Sequence, residues 1–174
     1  MGCAADWIGN LFWLLQTKYP GGNVKERVRQ LWMDIDAAYK RDDDRLQNLT
    51  DKMIKQEKKA PKLRCSGAQC RTMVPIATRL AESKLDPTKP LEQAALIGTQ
   101  KLEQCYMALS ADSVFSADLL RTQSVEFALQ YVALDKFYPG TFAMGGRERE
   151  RERDRDRESA CVAKLLGQEC ISHS

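Results

Sequence analysis

Residues 23–39 read NVKERVRQLWMDIDAAY. Val24, Val28, Leu31, Trp32, Ile35 and Tyr39 recur close to i, i+4, i+7, i+8, i+11 and i+15, which stacks them on one face of a helix with 3.6 residues per turn. Asn23 followed by Glu26 supplies a variant capping box, with Asn where Ser or Thr is usual. This segment sets the period by which the rest of the chain is read.

Ahead of it, Asp6 is placed to cap a first helix carrying Trp7, Ile8, Leu11, Phe12, Leu14 and Leu15, and Tyr19-Pro20-Gly21-Gly22 breaks that helix. Behind it, Asp42-Asp43-Asp44 separates a third helix, whose acids suit a positive helix end, the alternative being one continuous helix. Leu46, Leu49, Met53 and Ile54 give this helix a thin apolar stripe, and Ala60-Pro61 ends it. A fourth helix bears Cys70, Met73, Val74, Ile76, Ala77, Leu80 and Ala81; Pro75 inside it predicts a kink or a start near Thr72.

After the break at residues 86–90, a fifth helix presents Leu91, Ala94, Ala95, Gly98, Leu102, Cys105, Tyr106 and Leu109, its small residues marking a close approach. Ser116, or Asp112 before it, caps a sixth helix. Leu119, Leu120, Phe127, Ala128, Tyr131, Val132 and Leu134 form the expected buried side, and Tyr138-Pro139-Gly140 stops it. No segment alternates apolar and polar residues with the period of a strand. The expectation is an all-α fold, an irregular bundle of about six helices within residues 1–146.

Residues 147–158 alternate Arg with Glu or Asp without a break, six of each sign. Such alternation has no apolar face in either a helix or a strand and cannot build a core. It resembles a translated GA dinucleotide repeat and marks a low-complexity boundary, followed by a short, flexible C-terminal tail at 159–174. The remaining helical part is long enough to bury about 68–70% of its unfolded surface, so neither disulfides nor metal are needed for stability.

The net charge of the 174 residues is +3, with 43% apolar and 29% charged, too balanced to imply a polyanionic partner by itself. Six cysteines occur without a secretory signal, which points to reduced thiols in an intracellular chain, cytoplasmic by default. No apolar run approaches the ~20 residues of a membrane span.

Several chemistries are disfavoured. The one histidine, His173, stands next to the end of the chain, a poor position for a rigidly held base. Cys65 and Cys70 form a C-x4-C pair, but Cys105, Cys161 and Cys170 offer no second paired spacing for zinc. The acids at 34, 36 and 42–44 lack the spacing of a calcium loop. Phosphate-cradling and nucleophile-elbow motifs are absent. No cofactor and no metal are expected, and a non-enzymatic role is favoured.

Residues 52–71 hold the strongest charge asymmetry: Lys52, Lys55, Lys58, Lys59, Lys62, Arg64 and Arg71 against Glu57 alone. Cations so clustered suit phosphates or an acidic protein, although no aromatic residue interleaves them for base stacking. Lys62, Arg64 and Arg71 are also positioned to lower the pKa of Cys65, making it the candidate reactive thiol of a thiol-dependent enzyme.

The leading reading is therefore a helical interaction domain contacting nucleic acid or an acidic partner through 52–71. One alternative is a membrane-surface module anchored by the first helix and a lipidated Cys3. Another is a truncated copy of a larger, mobile-element-derived protein. Residues 73–138 bear a general resemblance to helical parts of transposon-derived proteins, on no diagnostic motif, so that resemblance assigns no residue a role.

Overall fold

The computed structural model describes residues 3–40, 44–56, 59–110, 115–138 and 142. Among them the protein is all-α, with six helices and no strand: α1 Cys3–Leu15, α2 Val24–Ala38, α3 Asp51–Ile54, α4 Gly67–Lys84, α5 Pro90–Ala108 and α6 Ala117–Phe137. The low-complexity segment 147–158 and the tail 159–174 lie outside the described residues.

α2 follows its sequence pattern. Asn23 Oδ1 accepts the Glu26 N–H at 3.0 Å, while Glu26 reaches back to the N–H of Gly22 rather than that of Asn23. Val28, Leu31, Ile35 and Tyr39 are buried.

α1 starts at Cys3 rather than after an Asp6 cap. Asp6 sits in its first turn, where a carboxylate is favourable to the dipole, and its backbone oxygen accepts from Asn10 Nδ2 at 2.8 Å. A short 3-10 turn, Gln16–Lys18, extends α1 towards Gly21, whose φ of +152° suits glycine.

The expected third helix is reduced to the single turn α3. Leu46 and Leu49 are buried from irregular chain instead. The Leu46 N–H is taken by the Tyr39 hydroxyl at 3.1 Å, and Thr50 accepts the Met53 N–H as a cap. Burying two leucines this way satisfies the chain without a helix whose apolar stripe is thin.

α4 begins at Gly67 rather than Thr72. Ser66 and Gln69 form a complete capping box there. Pro75 stands inside the helix on its exposed side, and α4 continues through it to Lys84.

α5 packs against both α4 and α6, and α1 packs chiefly on α4. The core centres on Trp7 of α1, which is fully buried. Its indole Nε1 donates to Thr99 Oγ1 at 2.9 Å. Phe127, Tyr131 and Phe142 surround the ring with centroids at 5.1, 5.2 and 5.2 Å. The small residue at Gly98 thus admits an aromatic ring: a Cβ there would stand 2.3 Å from Trp7 Cη2.

α6 departs from expectation. Phe127, Tyr131 and Leu134 are buried, but Leu119, Ala128 and Val132 are exposed, as is Leu109 at the end of α5. Val125 and Leu129 are exposed as well, so the helix carries apolar residues on two opposite faces and only one meets the core.

Near the start of α5, Glu92 is buried. Burial raises its pKa, but bonds from Lys18 Nζ at 2.5 Å and the Asp86 N–H at 2.8 Å outweigh burial and hold the carboxyl below its usual range.

Two outcomes are expected in urea denaturation. Gly98→Ala destabilises by about 1–3 kcal/mol through overpacking against Trp7, whereas Gly67→Ala, with nothing within 4 Å of the added methyl, does not. For Glu92 the folded pKa is depressed, so its contribution is full above the unfolded pKa of about 4.3 and is lost as pH falls through the folded value. Glu92→Gln should lack that acid-side loss; equal slopes for both proteins below pH ~4 would refute the assignment.

Candidate functional site

The backbone of residues 59–64 returns beside α3. Lys62 N–H donates to the Ile54 oxygen at 2.7 Å and Arg64 N–H to the Met53 oxygen at 3.1 Å. Leu63, buried between them, donates its N–H to the Ala5 oxygen at 2.9 Å, and Asn10 Nδ2 donates to the Pro61 oxygen at 3.4 Å. Gly9 makes this approach possible, since a Cβ there would lie 2.4 Å from Lys62 Cα. The basic loop is therefore clipped to α1, backbone against backbone.

That frame sorts the cations. Lys62 Nζ pairs with Asp6 Oδ1 at 2.9 Å, and Lys55 Nζ sits 4.9 Å from the centre of the Trp13 ring. Both are part of the fold, each contributing at most about 1 kcal/mol at such solvent-accessible positions. Lys52, Lys59, Arg64 and Arg71 are exposed and form no ion pair with another described residue. Lys58 and Glu57 lie outside the described residues.

Arg71 belongs to the start of α4, where the chain gathers further groups. Gln69 Nε2 donates to the Arg45 oxygen at 3.1 Å and draws residues 44–45 alongside. Asp44, Gly67, Ala68, Arg71, Thr72 and Tyr106 then line an open groove of about 580 Å³. Arg45, its guanidinium 5.2 Å from the Tyr39 ring centre, is a nearby cation missed by sequence reading. Only the long-range reach of Gln69 reveals it. The first turn of α4 contains no acid, although that end of a helix favours one. Arg71 therefore adds to the partial positive charge of the helix end instead of offsetting it.

The two thiols that flank this start are brought together. Cys65 is half-buried and Cys70 buried. A hydrogen bond from Cys70 lowers the Cys65 pKa, against burial, which raises it. The Cys70 thiol is pushed up, first by that bond to Cys65 and then by burial. The neighbouring thiol, rather than the cations expected from the sequence, is thus what favours the Cys65 thiolate.

Cys3 is exposed at the start of α1, far in character from the buried Trp7 and Phe12 of the same helix. Cys161, Cys170 and His173 lie outside the described residues. Among the described residues no three His, Cys, Asp or Glu side chains cluster to hold a metal ion. No described helix is long and apolar enough to cross a membrane.

No protein-family model matches the chain, and no curated protein and no solved structure is found similar to it.

Alkylation of the native protein, followed peptide by peptide, should show Cys65 reacting faster than Cys70 at neutral pH. Cys70→Ala should move the Cys65 midpoint upward towards the ordinary ~8.5 and slow its labelling several-fold at neutral pH. An unmoved midpoint would mean that Cys70 does not stabilise the thiolate.

Proposed function

We propose that the chain is a non-enzymatic helical domain that binds the phosphate backbone of a nucleic acid through the basic loop and the start of α4. The observation that carries this reading is the sorting of the cations: Lys52, Lys59, Arg64 and Arg71 are exposed without an ion pair among the described residues. Arg71 lies where the positive end of α4 reinforces it. A loop clipped to α1 offers these charges from a fixed frame, which reduces the ordering cost of binding.

The chemistry favours contact without base reading. No aromatic side chain of residues 52–71 is available to stack on a base. Lys and Arg facing phosphates position a nucleic acid but carry little sequence information. An acidic protein segment would meet the same charges, and the binding assay separates the two.

The membrane-surface alternative gains nothing from α1, because Trp7, Ile8, Leu11 and Phe12 are buried in the core. It would rest on Cys3 alone. A thiol-dependent enzyme would rest on Cys65, next to which stands a groove of mixed charge with no histidine among its described lining residues.

Fluorescent RNA and DNA titrated with the full chain at two salt concentrations should show affinity that falls steeply with salt. Replacing Lys52, Lys59, Arg64 and Arg71 by Gln should flatten the log–log salt slope by about 0.7–0.9 for each phosphate that is no longer neutralised. Lys55→Gln and Lys62→Gln should instead lower stability slightly and leave most of the binding. Absence of binding at low salt, with an acidic polypeptide bound instead, would replace nucleic acid by an acidic partner; absence of both would remove the site.

A further inference from the structure

The outer face of α6 has a period of its own. Asp118, Thr122, Val125, Leu129, Val132 and Lys136 follow one another at spacings of four, three, four, three and four, and all are exposed. Alternating steps of four and three keep these residues on one narrow stripe, the form of a seam that a second helix can cover. The centre of the stripe is apolar, with Val125 52%, Leu129 64% and Val132 42% exposed. Its two ends carry opposite charges.

The stripe is also symmetric about position 127. Val125 and Leu129 stand two residues from it, Thr122 and Val132 five, and Asp118 and Lys136 nine. We propose that the chain forms a two-fold symmetric dimer through this face, with the two α6 helices antiparallel and the axis passing opposite residue 127.

In that arrangement Val125 meets Leu129 of the second copy, Thr122 meets its Val132, and Asp118 meets its Lys136. Each contact occurs twice, as a self-complementary interface requires. Antiparallel seams pair the two kinds of core position with each other, which is the pairing this register produces.

The end charges select the direction. Were the helices parallel, each residue would face its own copy, placing Asp118 against Asp118 and Lys136 against Lys136. Antiparallel, both contacts become attractive. The seam from 118 to 136 is about 27 Å long at 1.5 Å per residue. One pair of helices of this length falls at the small end of specific interfaces, so the dimer dissociates on dilution. It buries an apolar face that is exposed among the described residues, and it does not involve the basic loop.

The test is sedimentation of the full chain in reducing buffer over a wide concentration range. A monomer–dimer equilibrium is expected. Leu129→Glu should raise its dissociation constant by at least about tenfold, while helicity and thermal midpoint of the dilute monomer stay as in the parent. Asp118→Lys should weaken the dimer about five- to tenfold, and adding Lys136→Asp to it should restore the parent affinity. A monomer at every concentration overturns the proposal, and so does a dimer indifferent to Leu129→Glu. Failure of the double exchange to rescue overturns the antiparallel register.

Discussion

The fold depends on a single buried indole. Trp7 brings an apolar ring and one N–H donor into the interior, and a buried donor must be matched. Thr99 accepts that hydrogen bond, while its own hydroxyl donates to the Ala95 oxygen at 2.7 Å. Gly98, one residue before Thr99, leaves the space the ring occupies. Phe127 and Tyr131 close the socket from α6. One side chain thereby fixes the position of α1 against both α5 and α6, elements that otherwise pack mainly on each other.

The basic loop inherits its geometry from this arrangement. α1 is held on one side by the Trp7 socket and on the other carries residues 61–63 through Ala5, Gly9 and Asn10. Lys55 and Lys62 are drawn onto Trp13 and Asp6 of the same helix. The cations left facing solvent are those the frame has no use for. Their like charge is a cost to the folded chain in the absence of an anion, which is what makes them a candidate surface rather than part of the scaffold.

Much of this was legible in the residues. The helical period of 24–39, the breaks at 19–22 and 86–90 and the absence of strand alternation define an all-α bundle, because a helix face is written in spacing. Ser66 and Gln69 carry a capping-box pattern that went unused in reading α4; Pro75 alone suggested the later start, and its effect depends on which way its missing hydrogen bond points. That direction is set by packing, which no local rule contains. Leu46 and Leu49 misled for the opposite reason: buried leucines need not lie on a helix when a tyrosine hydroxyl can satisfy the backbone. On α6 two apolar stripes coexist, and composition alone did not say which one the core would take. In the candidate site, the charge cluster was read directly, whereas the capture of Lys55 and Lys62 by internal partners and the arrival of Arg45 depend on residues distant in sequence.

The distance along the chain between Trp7 and its partners has a consequence for synthesis. The socket residues Thr99, Phe127 and Tyr131 are translated long after α1, at roughly 5–20 residues per second. α1 is the most apolar helix of the bundle, with Trp7, Ile8, Leu11, Phe12 and Leu15 all destined for the interior. While the ribosome is still making α5 and α6, α4 and the loop at 61–63 can already pack on α1, but the socket for Trp7 does not yet exist. The nascent chain therefore carries its central indole unmatched for seconds, and the helix that organises the finished protein is one a chaperone would hold during its making.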